Sequence, residues 1–213
     1  MDLSRFSPDP SKPDEREYLH AKYGLDPSKP IILHVGRLDV DKNVTTLIRA
    51  AACAMARGES QLLVVGDGCQ RKVLEQLCTN LGITESAHFL GYVDQDGDLP
   101  GLYRQATVFA TASEIEIQGT VILEALASGV PVVSVRATSM PEFVLDSVNG
   151  HLVQPGSVRQ MGDCLARLLS SPERAKEMGQ AGRELVSKHA ISNSIRRHEE
   201  LYQDLIQESV ITQ

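Results

Sequence analysis

Short apolar runs alternating with stretches of helical spacing constrain this chain more than any other feature. Ile31 to Val35, Gln61 to Val65, Ala87 to Leu90, Thr107 to Ala110, Val132 to Val135 and Gly150 to Val153 each read as a strand. Helical patterns are expected between them at about 43–57, 70–81, 98–105, 119–128 and 140–146. Strand and helix in this rhythm imply parallel strands joined by right-handed crossovers: a doubly wound parallel sheet, Rossmann-like, with three α/β/α layers. After residue 156 the pattern turns helical, at Ser157 to Leu169, Pro172 to Lys188 and Asn193 to Ile206, with Pro172 in the first turn after a cap at Ser171.

The chain's 213 residues can bury the core of one globular unit. With 21 basic and 28 acidic residues the net charge is −7, which disfavours a general nucleic-acid binder but leaves room for a local basic pocket. No apolar run approaches the roughly 18 residues needed to cross a bilayer, and the first residues lack the apolar core of a signal peptide, so a cytoplasmic location is expected. Cys53, Cys69, Cys78 and Cys164 lack metal-ligand spacing, and reduced, mostly buried thiols are expected.

Two places carry chemistry. Glu116 lies just before, and Glu124 about two turns into, an apolar helix that opens at Gly119 and ends at Gly129 and Pro131. A helix begun at a glycine offers unpaired amides to phosphate. Two acids cannot themselves hold a diphosphate, but they suit hydroxyls, and a diphosphate between two hydroxyl-rich rings is a nucleotide sugar. The cations such a ligand requires are Arg37 and Lys42, just after the strand at Ile31 to Val35. Gly36 lets the backbone turn there, and Asn43 is expected to cap the helix carrying Val44, Leu47, Ile48 and Ala51. Loops at the carboxyl ends of strands are where open α/β sheets bind ligands.

Gly36-Arg37-Leu38 with Lys42-Asn43, Val64 to Gly68, Phe89 to Val93, and Glu116 to Glu124 stand in an order and spacing that resembles the carboxyl-terminal half of a retaining glycosyltransferase of family 4 (group 1), of GT-B architecture. The matching stretch runs from about residue 29 to 155, with weaker similarity at both ends. The resemblance implies that Arg37 and Lys42 hold the donor's diphosphate, and that Glu116 contacts the transferred sugar. Glu124 would accept ribose hydroxyls, the amides of Gly119, Thr120 and Val121 would cradle phosphate, and Gly91 to Val93 would shape the base pocket. It implies no metal and no cofactor beyond the nucleotide diphosphate sugar as donor. Asp2 to Pro8 resembles the connector leaving an amino-terminal acceptor-binding domain. The expected layout is thus a connector remnant at 1–28, a nucleotide-sugar-binding domain at 29–190 and a carboxyl-terminal helix at 191–213, with the acceptor-binding domain missing or supplied by a partner chain.

Two departures from the family pattern stand out. Gln118 replaces a frequent aromatic, as in some members that glycosylate lipids, so a membrane-associated lipid acceptor is implied. Met140-Pro141-Glu142 matches the family's Pro-Glu turn, but Ala137, Thr138 and Ser139 replace its usual glycines, so that loop is expected to approach the donor less freely.

Other patterns carry less. Asp39-Val40-Asp41 has a metal-binding form but flanks the Arg37 and Lys42 cations, and Asp94 to Asp98 lacks the glycine and glutamate of a calcium loop. Gly66-Asp67-Gly68 lacks the third glycine of a dinucleotide fingerprint. His34 and His88 read as core or edge residues, and no nucleophile constellation includes His20, His151, His189 or His198. A sugar-nucleotide epimerase of the same architecture, or a nucleotide-binding module without chemistry, would use the same pocket.

Overall fold

The computed structural model describes residues 4–7, 15–187 and 202. Its elements in chain order are α1 (Glu15–Tyr23), β1 (Ile31–Val35), α2 (Val44–Met55), β2 (Gln61–Val65), α3 (Arg71–Asn80), β3 (Ala87–Gly91), α4 (Leu99–Gln105), β4 (Val108–Thr111), α5 (Thr120–Ala127), β5 (Val132–Val135), α6 (Met140–Phe143), β6 (Gly150–Val153), α7 (Val158–Leu169) and α8 (Pro172–Val186). The six strands form one parallel sheet in the order β3-β2-β1-β4-β5-β6. Among the described residues no helix is long and apolar enough to cross a membrane.

Alternation along the strands feeds two cores. Ile32, Leu62, Val64, Val108, Ala110, Val133 and Val135 pack under α2, α3 and α7. Ile31, Leu33, Leu63, Val65, Phe109 and Val132 pack on the other face against α1, α4 and α5. Helix α2 buries Val44, Leu47, Ile48 and Ala51, spacing that puts one stripe on the sheet.

Local chemistry explains where the elements differ from expectation. Helix α6 ends at Phe143, short of 146, because Asn149, fully buried, donates to the Phe143 carbonyl at 2.9 Å and accepts the Leu145 amide at 2.8 Å. Asn43 and Ser171 do occupy N-cap positions, but neither side chain caps, whereas Ser157 accepts the Gln160 amide. Helix α1 is rich in charges and falls between proline-punctuated stretches, at Pro8 to Pro13 and Pro27 to Pro30. It is held from outside: Glu15 takes a two-pronged ion pair from Arg104 of α4 at 2.6 and 2.9 Å, Lys22 meets Asp98 at 2.6 Å, and Leu19 is buried. Cys78 and Cys164 are buried free thiols, but Cys53 and Cys69 are exposed, since Cys53 falls off the buried stripe of α2. The helix expected at Asn193–Ile206 lies outside the described residues, save Tyr202.

Candidate functional site

Strand order reverses between β1 and β4. The chain leaves β1 for α2 on one face and leaves β4 for α5 on the other, so the two connections part and open a crevice at the carboxyl edge of the sheet. Of the site residues expected from the sequence, Gly36, Arg37, Lys42, Glu116 and Gly119 lie on these two connections, Thr120 and Val121 open α5, and Gly91, Val93 and Glu124 lie elsewhere.

The β1–α2 connection is pinned from beneath. Gly36 donates to the Val65 carbonyl at 3.0 Å, and Leu38, fully buried, donates to Asp67 at 2.9 Å. A Cβ on Gly66 would stand 1.9 Å from the Gly36 carbonyl oxygen, and one on Gly68 2.6 Å from the Leu38 carbonyl. Gly66 and Gly68 therefore serve close packing of two backbone segments, which accounts for a dinucleotide-like pattern without its third glycine.

With Leu38 locked inward, Arg37 projects to solvent, 66% exposed, and pairs with Asp39 and, at 3.5 Å, Asp41 of its own loop. Both acids of the Asp-x-Asp pattern are thereby engaged by a cation. Lys42 instead spans the crevice. Its ammonium lies 3.4 Å from the Glu116 carboxylate and donates to the Ile115 carbonyl at 3.3 Å, and neither Lys42 nor Glu116 has a side chain more than a fifth exposed. Asn43 reaches the same way, donating to Glu114 at 3.1 Å, which is why it does not cap α2. The structure thus brings Lys42, Glu116 and the start of α5 to one edge, with Arg37 beside them.

Gly119 is the N-cap of α5 at φ 61, a left-handed conformation that suits glycine, and a Cβ there would meet the Phe143 ring at 2.5 Å. The amides of Gly119, Thr120 and Val121 come too early in the helix to have partners within it. The helix dipole adds partial positive charge at that end.

Glu124 is a different case. It is 1% exposed, and its carboxylate accepts the Tyr103 hydroxyl at 2.9 Å. Tyr103 lies between Phe6, edge-on at 5.6 Å, and Phe109, stacked at 5.8 Å. Burial raises the Glu124 pKa to about 6 against the opposing effect of the tyrosine hydrogen bond, and burial together with the nearby carboxylate raises that of Tyr103. Val93 is likewise turned into the core, 8% exposed, while its neighbour Tyr92 is 81% exposed after Gly91. His34 sits beneath Gly36 and engages the Ala110 carbonyl through Nδ1 at 3.0 Å, and burial lowers its pKa to about 4, so it is neutral near pH 7.

Residues the sequence reading left without a role now enter. Tyr103 partners Glu124, and Thr138 and Ser139 both bond the backbone of Glu116. Only the departure from the family's glycines marked the latter pair in the sequence, and nothing marked Tyr103.

Residues 15–185 match the model of a family described as glycosyl transferases group 1. A GDP-mannose-dependent alpha-(1-6)-phosphatidylinositol monomannoside mannosyltransferase of Mycolicibacterium smegmatis is 35% identical over 191 residues, covering 86% of this chain and 49% of the relative. The carboxyl-terminal domain of a glycosyl transferase group 1 protein from Francisella tularensis superposes with a TM-score of 0.78 at 28% identity, over 90% of this chain and 99% of that one. HepE of Anabaena, solved with UDP-glucose, gives a TM-score of 0.81 at 25% identity, over 95% of this chain and 56% of that one. The chain spans about half the length of the curated relatives it matches.

Proposed function

The chain belongs to the glycosyl transferases group 1 family, and on that premise we propose that it is the donor-binding half of a retaining glycosyltransferase that moves a hexose from a nucleotide diphosphate sugar to a hydroxyl acceptor. One observation carries the reading: Lys42 crosses the switch point to Glu116 beside the free amides at the start of α5. A cation, a set of helix-end amides and a carboxylate within one crevice match the diphosphate and the sugar hydroxyls of such a donor.

In this reading the diphosphate displaces the Lys42–Glu116 pairing. Lys42 and Arg37 then neutralise the charge that grows on the departing nucleotide, and the α5 amides hold the near phosphate. Glu116, released from Lys42, accepts hydroxyls of the sugar. Glu124 reaches the ribose only by exchanging Tyr103 for it, and the backbone around Gly91 and Val93 borders the base. No metal is required where two cations and a helix end share the charge. A relative that uses GDP-mannose and a structural neighbour holding UDP-glucose both support a nucleotide sugar as ligand.

The acceptor side belongs to a further domain or a partner chain. Val40, Tyr92, Ile115 and Ile117 are between 57% and 82% exposed, and all lie on connections at the carboxyl edge, the face such a domain would cover. Gln118 and the phosphatidylinositol-acting relative favour a lipid acceptor, with the chain itself on the cytoplasmic side.

Calorimetry with UDP, GDP, UDP-glucose and GDP-mannose tests the donor site, with binding expected for at least one pair and loss of at least tenfold in Lys42→Ala, about 1.4 kcal/mol. No binding by any of the four would remove the reading. Once an acceptor-binding half is added, nucleotide plus glycoside indicates transfer, an isomerised nucleotide sugar indicates the epimerase, and no turnover indicates a binding module.

A further inference from the structure

The connection between β5 and α6 pays a local conformational cost that its own sequence does not explain. Thr138 has φ 43, in the left-handed region where a β-branched residue is an outlier. Ser139 holds the N-cap position of α6, yet its hydroxyl does not cap that helix. Both side chains turn to Glu116 instead. The Thr138 hydroxyl accepts the Glu116 amide at 3.2 Å and donates to the Glu116 carbonyl at 3.0 Å, and the Ser139 hydroxyl donates to that same carbonyl at 2.6 Å.

Two side chains from another connection thereby satisfy both backbone polar groups of one site residue. Strained or uncapped positions persist where surrounding contacts over-determine them, and they concentrate at functional sites. Here the contact fixes the peptide that carries the Glu116 carboxylate, whose Oε2 lies 3.4 Å from the Lys42 ammonium. The ring of Phe143, at the end of α6, lies over Gly119 and holds the other end of the same loop. A glycine at 138 or 139 would reach the same backbone shape but could not bond Glu116 through a side chain.

We propose that Thr138 and Ser139 are positioning residues that aim Glu116 at the sugar, so that they set the preference of the site for a sugar-bearing nucleotide over the bare nucleoside diphosphate. The inference rests on the donor-site reading, in which Glu116 meets sugar hydroxyls. Loss of the pair frees the loop carrying Glu116 but leaves Lys42 and the α5 amides in place. The sugar's share of binding therefore falls, and the diphosphate's share stays.

The experiment compares affinities for UDP against UDP-glucose and for GDP against GDP-mannose in the wild type, Thr138→Gly/Ser139→Ala and Thr138→Ser. The wild type is expected to prefer one sugar-bearing form. The double variant should lose about tenfold of that preference, the equivalent of a lost hydrogen bond, while holding its affinity for the bare diphosphate within about twofold. Thr138→Ser, which keeps the hydroxyl, should retain the preference.

A double variant with unchanged preference overturns the inference alone, as does one that loses UDP or GDP as strongly as the sugar-bearing form. A wild type that binds the diphosphates without any preference also overturns it and leaves the diphosphate site standing. A wild type that binds none of the four overturns the donor-site reading and this inference with it.

Discussion

Glu116 and Glu124 flank the same glycine, yet the fold gives them opposite surroundings. Glu116 lies at the crevice, faces a lysine from another connection, and has its backbone held by two hydroxyls. Glu124 is inside, 1% exposed, held by a tyrosine that is itself packed between two phenylalanines. In the proposed reading the first region exchanges its partner for a charged ligand, because its pairing is electrostatic and reached by solvent. The other is built into the core, where moving a carboxylate means breaking packing. Residue type alone therefore says little about role, and the region around Glu124 should govern stability while that around Glu116 governs ligand choice.

Tyr103→Ala is the severest way to break that contrast. It removes a fully buried ring and strands Glu124 without its hydrogen-bond partner. A loss of roughly 3–5 kcal/mol is expected in denaturant melts, against about 1–3 kcal/mol for Tyr103→Phe, which removes only the hydroxyl. A loss below about 1 kcal/mol in Tyr103→Ala would mean that Glu124 is not tied to the core as described.

Gly119 separates the two regions and is the next test. An alanine there meets an unfavourable φ of 61 and the Phe143 ring at 2.5 Å. A destabilisation of about 1–3 kcal/mol is expected, together with weaker diphosphate binding because the α5 amides move. Unchanged melting would show that Phe143 yields freely and that the loop is not held from that side.

The pH dependence separates the acids without disturbing the packing. The pKa of Glu124 is raised from 4.5 to about 6, so the fold favours its protonated form. That contribution is fully present below about pH 4.5 and is lost as the pH rises through 6, a change of about 2 kcal/mol between the two limits. His34 runs the other way: its pKa is lowered to about 4, so its contribution is present above pH 6.5 and is lost as the pH falls through 4. Subtracting the stability profile of Glu124→Gln from that of the wild type isolates the first trend. A flat difference between pH 4 and 7.5 would contradict the burial of a carboxylic acid at that position.

The legibility of the sequence follows the same division. Apolar periodicity reports burial, so the strands, most helices and the doubly wound parallel class are readable, whereas the order of the strands is seen only in the fold. Position after a buried strand put Arg37 and Lys42 at the carboxyl edge of the sheet, because a loop that follows a strand starts there. Helix α1 was not readable, since its support comes from Arg104 and Asp98, far along the chain. For the same reason nothing in the sequence named Tyr103 as the partner of Glu124. Thr138 illustrates a third case: local propensity argues against a left-handed threonine, and only the bonds to Glu116 make it intelligible.

The smallest expected effect on stability is at the crevice. Lys42 and Glu116 are 18% and 19% exposed and stand 3.4 Å apart, so their attraction is weakened by solvent and offset by the cost of ordering two long side chains. Lys42→Ala and Glu116→Gln should each change stability by less than about 1 kcal/mol, and the lysine effect should shrink further at about 1 M salt, where screening reaches about 3 Å. Ligand binding should separate them. Lys42→Ala weakens both the bare diphosphate and the nucleotide sugar, because its charge meets the phosphates common to both, whereas Glu116→Gln weakens only the sugar-bearing form. Equal losses from the two substitutions on both ligands would mean that Glu116 acts through Lys42, and the distinction between a phosphate side and a sugar side of the crevice would fall.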